Sequence, residues 1–212
     1  MPPQTRYARS GDVTAVLDAA GAERAALYAH TASGPLMVHY AARHPERARA
    51  LVLVNTLTRV AFDHVGWNRT LLIPPAYLTT RFAPAAWAER LARAWGDLEV
   101  WLFDPSERND RILFYQLTSA QRSSLPMGTR RLATLEGLDL REDLPQITAP
   151  ALVVRGMTDT YCPESWSREI AALLPRADFL EIAGAGHLAL ISQAETFNRV
   201  VLRWLLEHGE GA

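Results

Sequence analysis

The chain has 212 residues, 49% of them hydrophobic, which is enough to bury one substantial core in a single domain. Its 22 basic and 23 acidic residues are spread along the chain and leave a formal net charge of −1, so neither a nucleic-acid surface nor a polybasic membrane anchor is expected, and a neutral small molecule is the ligand class that fits. The single cysteine, Cys162, excludes an intramolecular disulfide and a cysteine-rich zinc site. No run approaches the roughly twenty apolar residues of a membrane span or forms a signal-peptide core, so the cytoplasm is the expected location.

Asp12 to Ala20 places Val13, Val16 and Leu17 at helical spacing, and Gly21 follows where a helix would be capped. A brief apolar run, Ala25 to Ala29, is followed by a turn and then by Gly34 to Arg43, read as a helix with Pro35 tolerated in its first turn. Ala48 to Val54 is continuously apolar apart from Arg49, the pattern of a strand buried on both faces of a parallel sheet. From about Leu57 to Gln146 the β-type runs disappear. Trp87, Leu91 and Trp95 recur there every four residues, so we expect a helical insertion at about 57–146 within one domain spanning 1–212. Alternation resumes with a strand over 151–154, a helix from about Glu164 to Leu174, a strand over 179–182 and a last helix from Ala194 to Leu206. Strands alternating with helices predict a parallel α/β sheet.

Three turns carry the candidate chemistry. The first reads Ala29-His30-Thr31-Ala32-Ser33-Gly34, between a strand and a helix. The second, Arg155-Gly156-Met157-Thr158-Asp159, follows the third strand, and the last strand runs into Ala183-Gly184-Ala185-Gly186-His187. On the residues alone, Thr31 reads equally well as a turn cap; Asp159 could cap a turn before the helix that begins near Pro163, but its spacing to the histidine turn favours a functional role. Of the six histidines, His187 is the one that follows a strand in a glycine-flanked turn. His39 and His44 are expected to be structural and His64 and His208 exposed. No pair has metal-ligand spacing, so no metal and no cofactor are expected.

These turns, with the His44-Pro45-Glu46-Arg47 loop leading to Leu51-Val52-Leu53, resemble the α/β-hydrolase family, and the resemblance covers nearly the whole chain apart from the insertion. It implies an α/β-hydrolase-like parallel sheet with a helical cap. It aligns Thr31 with the serine of the Gly-x-Ser-x-Gly nucleophile elbow, Asp159 with the acid and His187 with the base, in the order that family has. Ala29 and Ser33 then replace the two glycines. The resemblance further implies that the Ala32 amide is an oxyanion donor and that His30 lines the pocket, joined there by cap aromatics such as Trp67 and Trp101. It also implies that strands supplying the second oxyanion donor precede the segment where this chain begins, so that the fold is truncated at its amino-terminal side.

Three readings stand at this point. They are a hydrolase of an ester or related acyl compound, weakened by its threonine; a non-catalytic descendant that binds a small molecule or partner; and a fragment of a longer hydrolase. Ala25 to Ala29 would be a bare sheet edge, so self-association or a partner chain is expected there.

Overall fold

A computed structural model describes residues 10–59 and 138–208, together with positions 82, 84, 87 and 90. Four strands, β1 (Ala25–His30), β2 (Ala48–Val54), β3 (Ala151–Gly156) and β4 (Ala177–Ile182), form one sheet in the order β1-β2-β3-β4. All three pairings are parallel, running from Ala25 opposite Ala48, Leu51 opposite Ala151, and Ala151 opposite Ala177. The helices are α1 (Ser10–Ala19), α2 (Gly34–Arg43), α3 (Glu164–Leu173), the short α4 (Ala189–Ser192) and α5 (Ala194–His208).

The parallel sheet follows from the composition of its central strands. In β2 every residue but Arg49 is buried, and β3 is buried throughout. A strand's side chains alternate between faces, so each such strand feeds two cores. Leu51, Leu53, Ala151 and Val153 point into a layer with Leu17, Val38, Tyr40 and Ile170 of α1 to α3. Val52, Val54, Leu152 and Val154 enter the opposite layer with Phe197, Val201 and Trp204 of α5. Helices cover both faces, as a sheet apolar on both sides requires.

Element ends differ from the sequence reading by a few residues. Helix α1 stops at Ala19 and reverses through Gly21, whose φ of +65° a side chain would resist. Strand β1 gains His30, α3 ends at Leu173, and α5 continues to His208, whose ring stacks on Trp204 at 4.8 Å. That stacking leaves His208 half-buried rather than exposed. His39 and His44 are structural as expected: His39 Nδ1 lies 3.2 Å from Asp143 Oδ2, and His44 packs on Tyr40 at 4.7 Å.

The expected insertion has its flanks in the main body, since Leu57, Leu138, Leu140 and Leu144 are all core residues. Arg59 forms an antiparallel bridge with Asp139, and the Leu140 amide donates to Thr58 O at 2.8 Å. The chain therefore leaves the body and returns to it at one place. Most of the intervening stretch, with His64, Trp67, Leu91, Trp95 and Trp101, lies outside the described residues. Phe82 and Trp87 are helical positions there and are 75% and 60% exposed, so neither is part of the core.

Candidate active site

In a parallel sheet the loops at the carboxyl ends of the strands are neighbours; Thr31, Ala32, Asp159 and His187 lie on such loops, and His30 is the last residue of β1. Thr31 opens a 3-10 turn, Thr31–Ser33, between β1 and α2. Its φ is +50°, in the left-handed region where a β-branched residue is unusual. Two side chains fix the turn through three hydrogen bonds. Ser33 Oγ accepts from the His30 amide at 2.9 Å and donates to His30 O at 2.7 Å, while Thr56 Oγ1 donates to Thr31 O at 2.6 Å.

The close approach in this turn falls at Gly34, one residue beyond the position that sequence alignment gave to Ser33. A Cβ on Gly34 would lie 1.7 Å from Thr56 Oγ1. Ala29 and Ser33 stand where the motif has glycines, and Ser33 uses its side chain to hold the turn.

Asp159 follows β3, and its side chain is fully buried. Oδ1 accepts from the Tyr161 and Cys162 amides at 2.7 and 3.0 Å, and Oδ2 lies 3.0 Å from His187 Nδ1. A carboxylate held by two backbone donors has one oxygen left to orient an imidazole. The rings of Tyr161 and His30 lie against His187, with centroids 4.7 and 5.0 Å away.

His30 joins the elbow to the histidine loop. Its Nε2 lies 2.8 Å from His187 O, and a carbonyl only accepts, so Nε2 carries the proton. Burial pushes the pKa of His30 down to about 4, and the positive charge His187 can carry pushes the same way. The bond to the His187 backbone and the charge of Asp159 oppose them. His30 is therefore neutral near pH 7.

Ala32 follows Thr31 in the turn and is exposed. Trp67 and Trp101, the expected pocket walls, lie outside the described residues. Sequence reasoning assigned nothing to Asn55, which directly follows β2 at φ +42° and is 1% exposed. Its carboxamide accepts from the Gly156 amide and donates to the carbonyls of Gly186 and His187. The sequence shows it as a polar residue directly after the apolar run Leu51 to Val54, which marks the position without indicating its partners. One further grouping was not visible in the spacing. Ligand atoms of Asp159, Cys162 and His187 lie within 4.8 Å of one another, though Cys162 Sγ donates to Asn55 O and the other two bond each other.

A family model described as alpha/beta hydrolase fold matches residues 5–194. The chain belongs to the alpha/beta hydrolase family. Within that family it is 33% identical, over 99% of its own length and 75% of the relative's, to a Caulobacter sp. (strain K31) protein provisionally named carbamate hydrolase RutD. Among solved structures, it resembles the enol-lactonase of Burkholderia xenovorans LB400, with a TM-score of 0.73 and 23% identity over 93% of this chain and 71% of that one. It also resembles the esterase RhEst1 of Rhodococcus sp. ECU1013, with a TM-score of 0.75 and 22% identity over 94% and 72%. At those identities the two structures establish that the hydrolase fold is shared.

Proposed function

We propose that this α/β-hydrolase cleaves a small acyl compound, an ester or a carbamate-type carbonyl, with Thr31 as nucleophile, His187 as base and Asp159 as the group that orients it. The observation carrying the proposal is the 3.0 Å contact between His187 Nδ1 and the buried carboxylate of Asp159. A proton held on Nδ1 by a carboxylate makes Nε2 the atom that takes a proton from the nucleophile. Thr31 Oγ1 would add to the carbonyl carbon as its proton passes to Nε2, and Asp159 would stabilise the imidazolium. The Ala32 amide would receive the oxyanion, and the leaving group would depart with the proton from His187. Water activated by the same imidazole would then release the acyl group from Thr31. His30, Trp67 and Trp101 are assigned to the substrate pocket.

Threonine at φ +50° also favours a second reading, a descendant that binds without turnover. Strain of this class costs roughly 1 to 3 kcal/mol, and the extra methyl crowds the attacking oxygen. Hydrolysis of 4-nitrophenyl acetate distinguishes the two. For a weakened catalyst the rate rises in Thr31→Ser and disappears in His187→Ala. Equal rates in the wild type and both variants would leave the binding reading.

A further inference from the structure

Asn55 is held where few residues are tolerated. Its φ of +42° lies in the left-handed region, where asparagine is several-fold enriched among non-glycine residues, and it is almost wholly buried. A buried carboxamide has to be satisfied or it destabilises the fold, and this one is satisfied by the two catalytic loops. Oδ1 accepts from Gly156 N at 2.8 Å, at the start of the acid loop. Nδ2 donates to Gly186 O at 2.9 Å and to His187 O at 2.7 Å, in the base loop. The Asn55 backbone reaches the acid loop a second time, since its carbonyl accepts from Cys162 Sγ at 3.0 Å, and the Cys162 amide donates to Asp159 Oδ1.

Each side of the Asp159–His187 pair is thus anchored to one residue. The loops also touch directly at Gly156, where a Cβ would lie 2.1 Å from Gly186 O. Beside that approach Asn55 Nδ2 donates to two neighbouring carbonyls, Gly186 O and His187 O, the second of which also accepts from His30 Nε2. A short side chain carrying both N–H donors and an acceptor can serve both loops from the end of β2, and the Asn55 carboxamide has that set.

We propose that Asn55 is a positioning residue, a carboxamide clamp that fixes the distance between the acid and base loops and so sets the Asp159–His187 hydrogen bond. The proposal rests on the reading of these two residues as the acid and base, and its test reads their hydrogen bond without requiring turnover. In the intact chain labelled with 15N-histidine, the His187 Nδ1 proton bonded to Asp159 should give a low-field NMR signal, identified by its loss in His187→Ala. Asn55→Ala should lose that signal or move it upfield, while circular dichroism and cooperative unfolding are kept. Asn55→Asp serves where Asn55→Ala does not fold. It retains the acceptor for Gly156 N–H and tolerates the backbone angle, but it presents an acceptor to the two carbonyls, and the same loss is expected.

A wild-type-like signal in a folded Asn55→Ala, or in Asn55→Asp, would overturn the clamp, as would a wild type that shows no such signal. A chain that hydrolyses no ester, yet loses the signal on substitution of Asn55, would refute the proposed function and leave the clamp standing.

Discussion

At His30 a single side chain couples the site to the stability of the fold. Its pKa lies near 4 in the folded chain against 6.5 ordinarily, so between those values the unfolded chain binds a proton that the folded one refuses. Stability is therefore complete above about pH 6.5, falls as the pH drops towards 4, and changes no further through this group below that. At about 1.4 kcal/mol per unit, the contribution is at most about 3.5 kcal/mol, and solvent at this partly buried ring reduces it. Urea unfolding of the wild type and His30→Leu across this range should give a stability difference that varies with pH. A constant offset between them would mean that His30 titrates as it does in the unfolded chain. The same ring donates to the backbone of His187, so His30 is more than the pocket lining that its position beside Thr31 suggested.

Among the elements, the turns that need glycine are set by what crosses them. A Cβ on Gly156 would meet backbone, Gly186 O at 2.1 Å and Ala185 O at 2.6 Å, which cannot rotate away. Gly156→Ala should cost more than about 3 kcal/mol, as overpacking against fixed atoms does, with the midpoint of urea unfolding as the measure. At Gly34 the obstacle is a side chain. The cost of Gly34→Ala should fall in a Thr56→Ala background, and only partly, because the Thr56 Cβ stays at 2.7 Å. Equal costs in the two backgrounds would refute this account. Much of this scale was legible in the sequence. Ala48 to Val54 announced a strand buried on both faces, and the turn after each of β1, β3 and β4 marked a candidate side chain. Asn55 was not legible, since what distinguishes it is contact with residues far along the chain, and neither its type nor its place after a strand implies three partners. Gly34 was missed because alignment to a motif counts positions, whereas the close approach is decided by where Thr56 stands.

For the molecule as a whole, β1 is the outer strand of the sheet among the described residues, and an outer strand is where another chain can add by backbone pairing. We expect the chain to self-associate through β1, and light scattering across a concentration series to give a mass above that of one chain. A monomer at high micromolar concentration would refute it. Leu27, in the middle of β1, is 5% exposed and belongs to the core, so a charge there would disturb the fold. Tyr28, 45% exposed, is the position where lysine should weaken association and spare the fold. The bridge between Arg59 and Asp139 has a different kind of consequence. A chain that departs and returns at a single doorway leaves the sheet indifferent to what lies beyond it, since the closure entropy of a loop grows only slowly with its length. Residues between those two positions can be lengthened, shortened or exchanged over generations while the loops around Asn55 stay as they are. Recognition of a new substrate and conservation of the old chemistry then become separate evolutionary problems.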